Sequence, residues 1–113
     1  MHETGIAQNI LEIAVKTAEE KGAKVINNIA VRIGKMSAID EASLRFAFDA
    51  LKVDTIAANS TFEYFEVALT GKCEDCGYES ELEGYFVLCP KCNSGKVKIL
   101  TGNELEIAYI DVD

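Results

Sequence analysis

The four cysteines of this chain fall into two close pairs. Cys73 and Cys76 form one CxxC pair, Cys89 and Cys92 form the other, and twelve residues separate them. Two residues between cysteines allow both sulfurs to turn toward one centre, while nearby backbone N–H groups point at them. Two such turns supply four thiolates, the full tetrahedral shell of a structural zinc ion. The spacer is long enough for a hairpin, so the pattern predicts a zinc-binding module.

Paired cysteines can also form disulfides, a thioredoxin-like redox site or an iron site. Polar residues and a helix-like segment follow Met1 without an apolar stretch, so we expect no secretory leader. No run of the sequence approaches the length of a membrane span. We therefore expect a cytoplasmic protein without a membrane partner, in which thiols stay reduced and disulfides are rare. A redox site needs only one pair, and although iron accepts four thiolates, nothing here indicates electron transfer.

The chain is acidic, with 11 basic and 19 acidic side chains among 113 residues and a formal charge of −8. Five of the carboxylates lie close to the cysteines, at Glu74, Asp75, Glu79, Glu81 and Glu83. Zinc ribbons often bind nucleic acid, but phosphate binding draws most of its affinity from Lys and Arg. We therefore expect no nucleic-acid partner, and a structural or protein-docking role for the cysteine module.

Hydrophobic periodicity predicts two helices and a strand in the first half of the chain. Residues 6–21 show helical spacing, with Thr4 as a candidate N-cap and Gly22 as a candidate stop. The apolar positions of this helix are Ile6, Ile10, Leu11, Ile13 and Ala14. Residues 25–34 alternate like a strand, and a second helix is predicted after Asp40, another candidate N-cap.

Residues 61–70 and 104–112 also have the composition of strands. Because the cysteine module lies between them like a long hairpin tip, we expect these two strands to pair antiparallel. The predicted fold is α+β, with two helices covering a three-stranded sheet and an inserted zinc-ribbon-like module. The predicted domains are residues 1–71 plus 102–113, and residues 72–101. The smaller domain has few large apolar residues, so its fold should depend on the metal.

The start of the chain offers a second set of metal ligands. The α-amine of Met1 and the amide nitrogen and imidazole of His2 can form fused chelate rings, and Glu3 can complete a square plane through its amide or carboxylate. Planar nitrogen coordination suits Ni(II) or Cu(II) and suits zinc poorly. Ligand affinity alone does not select nickel, because Cu(II) binds such sites more tightly. Alternatively, His2 packs near the first helix and binds no metal.

The start Met1–Thr4 before an amphipathic helix resembles the HypA/HybF family of hydrogenase nickel-incorporation proteins. The segment Val31–Asp40, the paired CxxC module and the ending Thr101–Ile107 resemble the family as well. The resemblance covers nearly the whole chain, and the motifs are specific when taken together.

The resemblance implies a nickel metallochaperone rather than an enzyme. Such proteins receive Ni(II), dock with a GTPase accessory protein and help load the large subunit of [NiFe]-hydrogenase; in some organisms they also assist urease. The larger domain would bind nickel through Met1, His2 and Glu3. The zinc ligands it implies are Cys73, Cys76, Cys89 and Cys92. Asp40 lies in a matching motif, where it would either assist nickel binding or only cap its helix.

Two other classes of function compete with a nickel carrier. A zinc-ribbon adaptor would use its metal only to shape a docking surface, and His2 would bind no metal. An enzyme is a poor match, because the chain has no Ser–His–Asp set and no phosphate loop, and its only histidine is His2. Some relatives carry further histidines that could join a metal site. This chain has no histidine besides His2, so an additional imidazole ligand is not expected.

Overall fold

The computed structural model of the chain describes residues 3–83 and 87–113. Its helices are Glu3–Glu20 (α1) and Glu41–Leu51 (α2), and a short 3-10 helix spans Lys35–Ser37. The strands are Ile26–Gly34 (β1), Thr61–Val67 (β2), Thr70–Cys73 (β3), Glu79–Glu81 (β4), Val97–Thr101 (β5) and Leu105–Val112 (β6). This mixture of helices and small sheets confirms the predicted α+β class. None of the helices in the described part of the chain has the length and hydrophobicity needed to span a membrane.

The first sheet has the strand order β2-β1-β6. The prediction that residues 61–70 and 104–111 pair with each other is therefore wrong, because β1 lies between them. Seven of the nine residues of β1 are buried, whereas none of the eight residues of β6 is. A strand buried on both faces gains most from the central position. Residues 61–70 also do not form one strand, because β2 ends at Val67 and β3 begins at Thr70.

Helix α1 begins at Glu3, so Thr4 lies inside the helix and the prediction that it is the N-cap is wrong. The predicted stop at Gly22 is confirmed. Gly22 has a φ of +74°, and the N–H groups of Gly22 and Ala23 donate to carbonyls of the last turn, which closes the helix with a Schellman motif. The predicted apolar face is buried except for Ile13, whose exposed fraction is 56%.

Helix α2 begins after Asp40, as predicted. The Asp40 carboxylate accepts a hydrogen bond from the Ser43 N–H at 3.1 Å and so satisfies one of the free donors of the first turn. The helix packs against α1, and its fully buried Phe48 lies 4.7 Å from Phe62 of β2 between ring centroids. These contacts form the core of the first sheet and its helices.

The chain divides into two compact units. The first contains the described residues through Arg32, together with Ile39–Phe65 and Glu106–Asp113. The second contains Ile33–Ala38 and the described residues of Glu66–Leu105. A second sheet, with the order β4-β3-β5 and antiparallel pairing throughout, forms the framework of the second unit.

Within the second unit, the backbone at Gly34 and the backbone at Gly102 approach each other closely. A Cβ atom built on Gly34 would lie 1.9 Å from the Gly102 carbonyl oxygen. The same carbonyl accepts a hydrogen bond from the Met36 N–H at 3.0 Å, while the Gly34 N–H donates to the Glu104 carbonyl at 2.7 Å. These bonds hold the two segments together, so only glycine fits at position 34.

We predict that Gly34→Ala lowers the free energy of unfolding by about 2 kcal/mol or more, because the added methyl group meets backbone that cannot rotate away. Urea unfolding followed by circular dichroism measures the loss. The matched control is Gly5→Ala on α1, where a Cβ meets nothing within 4 Å. That variant should keep or slightly raise stability, by less than about 1 kcal/mol. Equal stability of the two variants would contradict the close approach.

Candidate metal centre

The first pair of cysteines lies at the end of β3. Cys73 is the last residue of the strand and is buried, whereas Cys76 lies in the following turn and is exposed. The Cys76 N–H donates to the Cys73 sulfur at 3.4 Å, and the Gly77 N–H donates to the Cys73 carbonyl at 2.9 Å. Gly77 has a φ of +77°, a conformation that glycine adopts without steric cost. The turn therefore presents both sulfurs on one side.

The second pair repeats this geometry. The Cys89 sulfur accepts from the Lys91 and Cys92 N–H groups at 3.4 Å each, and the Asn93 N–H donates to the Cys89 carbonyl at 2.8 Å. Asn93 has a φ of +62°, in the same left-handed region as Gly77. Neither Gly77 nor Asn93 was predicted to have a role in these turns. The signal was present, because glycine and asparagine are the residues that tolerate this conformation best.

The two turns bring the four sulfurs into one cluster. All four lie within 4.8 Å of one another, and the Cys73–Cys92 and Cys76–Cys89 sulfur pairs are each separated by 3.6 Å. Sulfurs bound tetrahedrally to zinc lie about 3.8 Å apart, because each Zn–S bond is about 2.3 Å long. A disulfide requires about 2.05 Å, and all four cysteines are free. The cluster therefore fits a tetrahedral metal ion.

The electrostatics of the cluster also favour a cation. Burial raises the pKa of Cys89. Hydrogen bonds from the Cys92 and Lys91 N–H groups to its sulfur outweigh that effect and lower the pKa to about 7. The pKa of Cys73 is also lowered, chiefly by the Cys76 N–H. At Cys92 the Ser94 N–H lowers the pKa, yet the Cys73 sulfur and burial prevail and raise it to about 12. Four thiolates at this spacing repel one another, so full deprotonation requires a positive ion at their centre.

Contacts outside the sulfur cluster connect the two turns. The Ser94 hydroxyl donates to the Asp75 carboxylate, which joins the loop after the second pair to the first pair. The Lys91 ammonium lies 5.6 Å from the centre of the Tyr78 ring, within the range of a cation–π interaction. These contacts add two links between the turns beside the sulfur cluster.

The structure describes only one of the three predicted nickel ligands. Met1 and His2 are outside the described residues, so only Glu3 can be placed. Its carboxylate accepts a hydrogen bond from the Asp40 N–H at 3.1 Å, and this bond is the main reason why the pKa of Glu3 is lowered. The bond therefore favours the carboxylate form of Glu3, beside the residue that caps α2. No pattern in the sequence predicts this link between Glu3 and Asp40.

An α+β fold with four convergent thiols defines a small metal-binding protein. A family model described as "Hydrogenase/urease nickel incorporation, metallochaperone, hypA" matches residues 1–112. The chain therefore belongs to the HypA family of nickel metallochaperones, which confirms the resemblance inferred from its sequence.

Individual relatives and solved structures agree with this membership. The chain is 40% identical over 113 residues to the hydrogenase maturation factor HypA of Crocosphaera subtropica, a match that covers 100% of this chain and 96% of the relative. It is 32% identical over 112 residues to that of Rhizobium leguminosarum bv. viciae, with 99% of both chains covered. The solution structure of the Ni metallochaperone HypA from Helicobacter pylori has a similar fold. Its TM-score is 0.71 at 23% identity, and the match covers 99% of this chain and 97% of that one.

We predict that Cys89→Ser abolishes retention of the cation bound by the cluster, because serine at this position does not supply a thiolate. Elemental analysis after gel filtration should show about one bound zinc per chain before the substitution and almost none after it. Ser80→Ala on β4 is the matched control and should leave the metal content unchanged. Full zinc retention by the Cys89 variant would contradict the four-sulfur site.

Proposed function

We propose that this protein is a nickel metallochaperone that binds Ni(II) at its N-terminus and helps to insert it into [NiFe]-hydrogenase during maturation. The observation that carries the proposal is the family match, which spans the chain from its first residue through the cysteine cluster. The description of the family names urease beside hydrogenase, so urease is a second candidate acceptor. The ion is cargo in this proposal, so the protein has no catalytic residues and is not an enzyme.

The nickel site in this proposal consists of Met1, His2 and Glu3. The Met1 amine and the His2 amide and imidazole nitrogens provide the planar donor set that Ni(II) prefers. The Asp40 N–H supports the proposal from the described residues, because it helps to keep the Glu3 carboxylate ionised at the start of α1. An anionic side chain beside these nitrogen ligands favours binding of a divalent cation.

The zinc site in this proposal consists of the four clustered cysteines, and its role is structural. Bound zinc supplies two positive charges that stabilise four adjacent thiolates, and it ties the two turns together. Sulfur ligands do not suit the release of a transported ion, because a buried tetrathiolate cage holds its metal. We therefore assign the transported ion to residues 1–71 plus 102–113 and the permanent ion to residues 72–101.

The proposed partners are a GTPase accessory protein and the large subunit of [NiFe]-hydrogenase. The membership of the chain in a family of maturation factors supports such partners. The formal charge of −8 supports the exclusion of nucleic acid, because the phosphate backbone would be repelled.

We predict that His2→Ala removes nickel binding and leaves zinc in place, because the substitution deletes the only imidazole of the chain. Adding one residue before Met1 should have the same effect, because it moves the free amine away from the chelate ring. Isothermal titration with Ni(II), together with zinc analysis, measures both outcomes. Nickel affinity should also decrease as the pH falls, because protons compete for the same nitrogens.

The matched control is Glu12→Ala, which removes an exposed carboxylate from α1 and should leave nickel uptake unchanged. Undiminished nickel binding by both the extended chain and the His2 variant would overturn the N-terminal site. A chain that binds zinc but no nickel would instead favour a zinc-ribbon adaptor.

A second prediction concerns the hand-over of nickel. The His2→Ala variant should still bind the purified GTPase accessory protein but should transfer no nickel to the hydrogenase large subunit, because it lacks the imidazole that holds the ion in this proposal. Native mass spectrometry of the complex and nickel analysis of the large subunit separate the two steps. Nickel transfer at the normal level by this variant would show that the delivered ion is held elsewhere.

A further inference from the structure

Strand β6 forms an edge of the first sheet and is unusually open. In the order β2-β1-β6, no strand of the described residues pairs with the outer side of β6. Natural edge strands are commonly protected by charged side chains, above all lysine, by proline or by short length. β6 is eight residues long, and residues 105–113 contain no lysine, arginine or proline. Its outer backbone N–H and C=O groups are therefore available to another strand.

An apolar groove runs beside this edge, between α1 and β6. Its volume is about 250 Å³. The residues that line it are Ile13, Ala14, Thr17, Ile107, Tyr109 and Ile110. Ile13 and Tyr109 are exposed by 56% and 47%, although large apolar side chains usually contribute to a core. The groove could receive the alternate side chains of a strand added to β6.

The charges along the edge are all negative. The acidic side chains of the edge are Glu106, Asp111 and Asp113, and residues 105–113 contain no basic side chain. Arg32 of β1 offsets Glu106 through an ion pair of 2.6 Å, and Asp113 accepts a hydrogen bond from Asn27 at 2.9 Å. Asp111 forms no ion pair within residues 3–83 and 87–113. A second copy of this edge would bring like charges together, whereas a basic strand would complement them.

We infer that β6 is a docking edge for an extended segment of a partner protein in which apolar residues alternate with lysine or arginine. The segment adds to the sheet as a fourth strand. Its backbone bonds to the outer side of β6, its apolar side chains occupy the groove and its cations face the carboxylates. This surface is independent of the nickel ligands, so its failure would leave the proposed nickel site unaffected.

The direct test uses a capped octapeptide of alternating valine and lysine, added to the zinc-loaded full chain. Hydrogen exchange followed by NMR should show amide protection in β6 that increases by about tenfold, because new backbone bonds slow local opening. A peptide with the same side chains but methylated backbone nitrogens is the control. It carries the same charge but cannot donate strand bonds, so it should give no such protection.

Two pairs of variants test the charges and the groove. Asp111→Lys should weaken peptide binding by about fivefold to tenfold, whereas Glu79→Lys makes the same charge change on β4 and should not. Ile13→Ala should weaken binding by removing part of the groove, whereas Val53→Ala, at a position that is 60% exposed, should not.

Three results would overturn the inference. The first is equal binding of the methylated peptide, which would indicate general attraction between an acidic protein and a basic peptide. The second is equal binding of a valine–glutamate peptide, which would refute the charge match. The third is self-association of the free chain through β6, detected as concentration-dependent protection, which would make a second copy the occupant.

Discussion

The convergence of four thiols within 4.8 Å is the constraint on which the second unit depends. Its buried residues include Leu69, Leu82, Cys73 and Cys89, so two of the cysteines contribute to its small core. Backbone N–H groups favour the thiolate at Cys73 and at Cys89, but four thiolates at this distance cannot all persist without a cation. We therefore expect metal binding and folding of this unit to be linked, because an ion that neutralises the sulfurs would also tie the two turns together.

The proposed nickel site at the start of the chain has the opposite physical requirement. A transported ion must leave, so its ligands should belong to groups that can move away from it. The α-amine and the imidazole of a terminal segment satisfy this requirement, whereas a cage of buried sulfurs does not. The hydrogen bond from the Asp40 N–H to Glu3 connects this terminal segment to the start of α2. Glu3 is thus held by the folded unit while the residues before it provide the proposed nitrogen ligands.

Much of the fold could be predicted from local patterns. The helix stop at Gly22, the cap at Asp40 and the two CxxC turns each depend on a few adjacent residues, and the structure contains all of them. Strand order could not be predicted in this way. β1 lies between β2 and β6 because both of its faces are buried. The alternation of apolar and polar residues along β2 and β6 does not show which strand is central.

In the candidate sites, too, the features that depend on adjacent residues could be predicted, and the contacts between distant residues could not. The spacing of the cysteines was enough to predict that they come together, because each turn is local and only twelve residues separate the two pairs. The close approach at Gly34 and the bond between Glu3 and Asp40 join residues far apart in the sequence, so no local pattern indicated them. The exposed groove beside β6 was not predicted because Ile13 fits a helical apolar stripe, and only the folded chain shows that Ile13 itself is exposed.

In the proposed function, two metals occupy two chemically different sites. X-ray absorption at the nickel and zinc edges of one doubly loaded sample distinguishes these sites. We expect a planar nickel site with nitrogen and oxygen neighbours and no sulfur, beside zinc with four sulfur neighbours at about 2.3 Å. Sulfur in the first shell of nickel would contradict it, because the transported ion would then occupy the cysteine cluster.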